Sequence, residues 1–447
     1  MKGFSGGIHP PCYKDSSLIN PIKQVKPPSS VTIPFVQHIG APAKPLIKIG
    51  DSVKVGTKIG EASGFISSPV HASISGTVKK IDFFPHPVLG RAQAAYIESD
   101  GRDERDVSIK SRANPEALLP AEIIDMVKEA GVVGLGGAAF PTHVKLSPPP
   151  SKKIDTIIIN GAECEPYLTC DHMLMLYNPV DIIKGTLLIM KAVGAQTCFI
   201  GIEKNKMDAY ELFLSKIRGM NIGNIHPVLL DVKYPQGAEK QLIKSIVGRE
   251  VPLRGLPMDV GVIVQNVGTT VAVYEAVYFN KPLFERIVTV SGRFIKSSQN
   301  VRVRVGMSFR DVIQEIGGLL DSPLRVIMGG PLMGIAQERL EIPIVKATSG
   351  ILIMSPAECR FPRTRPCIRC GRCVDVCPMG LVPNIITLAG ESERYTQADE
   401  WGVHDCIECG ACAYVCPAKR PMVQSVKMIK NELLRQEKLQ QKEKNLT

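Results

Sequence analysis

Residues Cys367–Pro378 read CIRCGRCVDVCP, and residues Cys406–Pro417 read CIECGACAYVCP. Both have the form C-x2-C-x2-C-x3-C-P. Two-residue gaps let three thiolates converge from one tight loop on a single iron–sulfur cube, while the proline carries the fourth cysteine away to the neighbouring cluster. The spacing therefore assigns Cys367, Cys370, Cys373 and Cys416 to one [4Fe–4S] cluster, and Cys406, Cys409, Cys412 and Cys377 to a second. Zinc sites more often use paired cysteines separated by a longer gap. The other cysteines, Cys12, Cys164, Cys170, Cys198 and Cys359, lack this spacing. Cys198 lies in an apolar run and is expected in the core. Cys359 is close enough to the first run to be considered a substitute ligand.

Around these runs stands a chain of 447 residues, too long for one hydrophobic core. Glycine and proline are plentiful, at 39 and 34, which favours many turns and small β-rich units. The longest apolar stretches are interrupted, one by Lys184 and Lys191, another by Gln265, Asn266 and Glu275, so no membrane span is expected. The N-terminal MKGFSGGIHPPCYKD carries no apolar signal region, and export is not expected. A net charge of +11 suits an acidic partner, such as a small acidic electron carrier, or an anionic membrane surface. Nucleic acid ranks last, because no basic run is interleaved with aromatics.

The expected architecture is multidomain, α/β and α+β. Residues 1 to about 30 look irregular. Ile47–Ile81 then alternates short β-branched runs with glycines and resembles the barrel-sandwich hybrid of lipoyl and biotinyl carrier domains. Its hairpin, SGFISSPVHAS, has no lysine to carry a cofactor, so the 1–109 domain is expected to be structural or a docking surface. In 110–285, Leu119, Ile123, Ile124 and Val127 recur at helical spacing before Gly131. Apolar strands at Thr156–Ile159, TCFIGI and GVIVQN alternate with helical patterns, which predicts an α/β domain. Residues 286–357 resemble the soluble-ligand-binding β-grasp (SLBB-like) module. Residues 358–425 form the two-[4Fe–4S] ferredoxin-like helical domain, and 426–447 a charged tail, helical or disordered.

Within 110–285 the loop GVVGLGGAAFPTHVKL, Gly131–Leu146, supplies glycines that let backbone N–H groups approach a phosphate. NGAECEPYLTCD follows a strand directly, and YPQGAEKQL and QNVGTT mark further turns. Open α/β sheets bind ligands at such strand exits. These blocks resemble the flavin- and NADH-binding core of the flavoprotein subunit of respiratory complex I. With GGIHPP and the paired cysteine runs in the same order, the whole chain resembles the RnfC family of Rnf electron-transport complexes. That resemblance implies FMN cradled by Gly134, Gly136 and Gly137, approached by Lys145, and contacted by Asn160, Glu163 and Asn266. It places Glu165, Gly237, Glu239 and Lys240 on the nicotinamide side. The complex I pattern has arginine at Leu135, glycine at Ala139, an acid at Ala162 and glutamate at Gly268.

The resemblance implies a peripheral subunit on the cytoplasmic face of the cell membrane. It would pass electrons between NAD(H), FMN and two [4Fe–4S] clusters, as part of a ferredoxin:NAD+ oxidoreductase coupled to ion translocation. Its partners would be the membrane subunits and a ferredoxin-like subunit. A flavin suits this position, because it accepts two electrons and releases them singly. The competing class is an iron–sulfur relay with a degenerate flavin domain. Arg369 and Arg372 in the first run face Glu408 and Ala411 in the second, which predicts the higher potential for the first-run cluster.

Overall fold

A computed structural model of the chain describes residues 3–321, 325–355, 358 and 363–444. Cys359 and residues 445–447 lie outside the described residues. By its internal contacts the chain divides into two units. One comprises residues 12–230 and 257–359, the other residues 1–11, 231–256 and 360–447.

The centre of the first unit follows from one sequence feature. Thr156–Gly161 is a run of β-branched residues buried on both faces, as strands of a parallel sheet must be when helices cover both sides. It lies inside a four-stranded, wholly parallel sheet ordered Ile225–Leu230, Thr197–Glu203, Thr156–Gly161, Val262–Asn266. From Thr156–Gly161 the chain adds two strands on one side and then crosses to place Val262–Asn266 on the other. The point where strand order reverses lies between these two strands, with Asn160 directly opposite Asn266. Helix Pro179–Val193 starts with proline at N1, ends on a left-handed Gly194, and buries Ile182, Ile183 and Ile189 in this core. Cys198 is buried there, as expected. Helix Pro120–Glu129 buries Ile123 and Val127. Leu119, expected on that face, sits at the N-cap and is 65% exposed, because the helix begins one residue after it.

The N-terminal module is two small sheets closed around Ile33, Phe35, Ile59, Ile74 and Ile97. Its hairpin bears Phe65, 68% exposed, and no lysine. The β-grasp module is a six-stranded sheet ordered Lys23–Gln24, Gln299–Arg304, Glu285–Gly292, Gly350–Met354, Arg325–Met328, Ile335–Gln337, with helix Phe309–Glu315. The first of these strands comes from the segment expected to be irregular. That segment is tied down by Val25, buried in the core of this module, and by buried polar groups: Asn300 Nδ2 donates to Ser17 O at 2.9 Å, and Lys14 Nζ donates to Leu168 O at 2.7 Å.

The second unit is helical. Pro383–Glu391, Tyr395–Glu400 and the long helix Met422–Lys444 enclose Ile386, Ala398, Val403, Val426 and Ile429. The last helix therefore begins within the cluster domain, and its first turns are core rather than tail. Residues 231–256, within the range expected for the flavin domain, make their contacts in this unit. Tyr234, only 2% exposed, donates its hydroxyl to Cys409 O at 2.7 Å. Ile8 pairs with Tyr234 through two backbone hydrogen bonds of 2.8 Å. No single helix among the described residues is long and apolar enough to cross a membrane.

A candidate flavin site and two four-cysteine cavities

The two cysteine runs fold alike. Arg369 and Glu408 take φ of 55° and 56°, Gly371 and Gly410 take 78° and 80°, and a short helix follows each glycine. This left-handed step reverses the chain so that three thiols point inward, and glycine takes it without steric cost. The backbone N–H groups of Arg369 and Glu408 lie 3.4 Å from the sulfurs of Cys367 and Cys406, as N–H donors to a cluster ligand should. One cavity is lined by Cys367, Cys370, Cys373 and Cys416, the other by Cys377, Cys406, Cys409 and Cys412. The fourth cysteine of each run thus stands at the other run's cavity, as its spacing predicts. The described cysteines form no disulfide. Burial pushes Cys409 up to about 11 and Cys412 up to about 12, so these thiols stay protonated unless a cationic centre takes them. Four sulfur donors per cavity fit one [4Fe–4S] cluster each.

The cavities differ. Cys370 and Ile368 are exposed in the first. In the second, Glu408 is held by Lys430 at 2.8 Å. This ion pair offsets part of the charge contrast between the runs, yet Arg369 and Arg372 still add positive charge at the first. The first cluster should titrate at the higher potential, and a redox titration followed by electron paramagnetic resonance checks the order.

The glycine-rich loop lies against the reversal point of the parallel sheet. Gly136 approaches Asn266 so closely that a methyl there would stand 2.7 Å from its Nδ2. Asn266 Oδ1 caps helix Val267–Phe279 by accepting from Gly268 N at 2.8 Å, and its Nδ2 donates to Asp171 at 2.6 Å. Lys145 Nζ donates to Val264 O at 3.2 Å, in the middle of the strand that ends at Asn266. Beside Asn266, the Nε2 of Gln265 is buried without a hydrogen-bond partner among the described residues. An orphaned buried amide at a sheet reversal, next to an open glycine turn and a capped helix N-terminus, fits a ligand with a phosphate and polar ring edges.

Ala139, at the position where the complex I pattern has glycine, takes φ of 54°. A side chain is strained there. Ala139→Gly is expected to stabilise this unit by about 0.5 kcal/mol, raising its thermal midpoint by about 1–2 °C. A lower midpoint would contradict this.

The two glutamates of NGAECEP are already engaged. Glu163 accepts from Asp171 N at 3.0 Å and His172 N at 3.3 Å, capping the start of helix Cys170–Tyr177. Glu165 accepts from Met333 N at 2.8 Å and Leu332 N at 3.1 Å in the β-grasp module. Burial pushes Glu165 up to about 7. Asn160 accepts from Ala162 N at 3.0 Å. Gly237, Glu239 and Lys240 fall in the cluster unit, at the start of helix Glu239–Val247. Lys240 donates there to Pro252 O at 3.1 Å. Sequence reading passed over Gln265, which carries no motif signal beyond its strand. It also passed over Arg286, whose buried guanidinium donates to Leu135 O and Thr348 O, each at 3.2 Å.

Burial, then the neighbouring Glu163 carboxylate, push Asp171 up to about 7, against about 4 in an unfolded chain. The folded state therefore holds a proton that the unfolded state has released between these values, so this group costs stability as pH rises from about 4 to about 7. Asp171→Asn removes the titration. Its thermal midpoint relative to wild type should rise across that window, and a pH-independent difference would refute the assignment.

A flavin-type α/β core and a paired four-cysteine unit in one chain define an iron–sulfur flavoprotein of the electron-transfer class. Four family models match in the same order: an RnfC barrel sandwich hybrid domain over residues 2–102, a Nuo51 FMN-binding domain over 127–275, an SLBB domain over 287–336 and a 4Fe-4S dicluster domain over 362–417. The chain is 46% identical over 433 residues to the C subunit of the proton-translocating ferredoxin:NAD(+) oxidoreductase complex of Clostridium ljungdahlii, covering 97% of this chain and 94% of the relative. It is likewise 46% identical to the C subunit of the Na(+)-translocating complex of Acetobacterium woodii, covering 97% of each. The C subunit of the ion-translocating oxidoreductase complex of Rhodobacter capsulatus is 42% identical over 97% of this chain and 84% of its own length. The fold is shared with the H2-reduced NAD+-reducing [NiFe]-hydrogenase at a TM-score of 0.50 and 19% identity, over 70% of this chain and 61% of that one. The chain belongs to the RnfC family, the C subunits of ion-translocating ferredoxin:NAD+ oxidoreductase (Rnf) complexes.

Proposed function

We propose that this protein passes electrons between NAD(H) and a partner iron–sulfur protein through FMN and two [4Fe–4S] clusters, at the cytoplasmic face of an ion-translocating membrane complex. The observation that carries the reading is the sheet reversal point, where the glycine loop, the Asn266-capped helix and the orphaned Gln265 amide converge in a chain that also builds two four-cysteine cavities. FMN supplies the conversion between a two-electron hydride donor and one-electron carriers.

The chain's own residues bind and orient. Gly134 and Gly137 leave room for a phosphate, Gly136 lets the loop close on Asn266, and Asn160, Asn266 and Lys145 offer polar contacts. Glu163 acts through the helix it caps, fixing Asp171 against Asn266. On the nicotinamide side, Glu165 is the residue that this unit supplies. The eight cysteines hold the clusters in the exchanged arrangement. The other subunits of the complex, membrane-embedded and ferredoxin-like, complete the path, and nucleic acid has no part in it.

Reconstituting the purified chain with iron, sulfide and FMN should give about one flavin and about eight iron atoms per chain, with NADH bleaching the cluster absorbance. Full iron without bound flavin would reduce the protein to a relay and overturn the NADH half.

A further inference from the structure

The first-run cavity opens on a surface rich in cations. Arg363, Arg365, Arg369, Arg372 and Lys419 are all exposed, and none is in an ion pair among the described residues. They belong to one patch. Arg365 N donates to Ala418 O at 2.9 Å, Thr364 Oγ1 donates to Lys419 O at 3.3 Å, and Cys416 with Ala418 lines the same cavity as Cys367 and Arg372. The stretch 363–372 contains no carboxylate, and the nearest in sequence is Asp375. Ile368 projects from the middle of the patch at 68% exposure, between Cys367 and the exposed Cys370.

The second-run cavity is the opposite in each respect. Lys430 and Lys427 neutralise Glu408. Residues 231–256, all within the FMN-binding family match, lie against it. Tyr234 bonds Cys409 O, Gln241 bonds Pro378 O at 3.0 Å, and Arg254 N bonds Asp405 at 2.7 Å. The flavin-family segment is thus bonded to residues of one cavity, and the other cavity leaves one of its thiols, Cys370, exposed.

From this asymmetry we infer that the rim of the first-run cavity is the docking surface for an acidic iron–sulfur protein, with Ile368 as the apolar anchor at its centre. The inference rests on the proposed electron-transfer role. Unpaired cations around an exposed apolar residue are what a negatively charged partner recognises, since opposed potentials speed encounter and fix orientation with little buried area. An exposed cysteine at the centre shortens the reach between redox centres. The occupant is a free carrier, because a small rim of cations around one apolar residue suits a weak, transient encounter rather than a permanent subunit interface.

The test uses the full reconstituted chain and R363E/R365E/K419E, three sites outside the cysteine loops. The binding probe is an acidic two-[4Fe–4S] ferredoxin, titrated at low and high salt. Wild type should bind with a Kd that weakens steeply with salt, and the variant should bind at least about tenfold more weakly at low salt with a flattened salt dependence. The same variant is also assembled with the membrane subunits. Weakened ferredoxin binding with assembly intact supports the free carrier. Unchanged ferredoxin binding overturns the inference, and if the variant is then lost from the complex the surface belongs to a resident subunit instead. If charge reversal lowers iron content, R363Q/R365Q/K419Q is used instead, with about a threefold effect expected. NADH-dependent cluster reduction in the same samples reports on the proposed function separately.

Discussion

Replacing Cys416 by serine should abolish the cluster of the first run while sparing that of the second, although Cys416 lies within the second. Its sulfur lines the cavity of Cys367, Cys370 and Cys373. Iron should fall from about eight to about four atoms per chain, or to about seven if a three-iron cluster survives on the remaining thiols. Cys377→Ser should mirror this, taking the Cys406–Cys412 cluster instead. Paramagnetic resonance decides the case, because the two clusters sit in different charge environments: Arg369 and Arg372 at one, the Glu408–Lys430 pair at the other. If Cys416→Ser instead removes the signal of its own run, the exchange is wrong.

The second large effect is expected at Arg286. Its guanidinium is 6% exposed and holds the carbonyl of Leu135 in the glycine loop and that of Thr348 in the β-grasp module. It also interacts electrostatically with Asp171. Arg286→Leu leaves two buried carbonyls without donors and removes the cation nearest a buried acid. It should destabilise this unit by about 3 kcal/mol and lower flavin content with iron unchanged. Arg286→Lys keeps the charge but cannot span both carbonyls, so an intermediate loss is expected. Flavin binding as tight as wild type in Arg286→Leu would show that the loop needs no such brace. The complex I pattern carries an arginine at the position of Leu135. Here the cation at that loop comes from a strand of the next module.

That substitution illustrates what the sequence can and cannot disclose. The cluster ligands were legible because their geometry is written in gaps of two and three residues, and an iron–sulfur cube constrains such short loops directly. The strand exits were legible from apolar runs ending in Asn160 and Asn266. Their adjacency was not, since it depends on Val262–Asn266 crossing over two intervening strands to pair with Thr156–Gly161. Glu163 and Glu165 looked like ligand contacts because they are acids after a strand. The structure shows both accepting backbone N–H groups, a role that sequence cannot separate from binding. Arg286 and Leu135 are 151 residues apart. Lys346, likewise buried, donates to Gly131 O at 2.7 Å and Pro69 O at 2.8 Å across still longer separations. Burial without a carboxylate partner pushes Lys346 down to about 7, and nothing in IPIVKATSG announces it.

The exchange of Cys377 and Cys416 has a consequence for how the protein is made. The first cluster cannot close its fourth bond until the ribosome has passed residue 416, and the second needs Cys377 from a run already synthesised. The cluster unit also draws in residues 1–11 and 231–256, which must wait for partners at the far end of the chain. The flavin unit's parallel sheet is complete by residue 266 and can form on the nascent chain. Neither ligand set is complete before residue 412, and both are by residue 416, so cluster closure belongs to the end of synthesis.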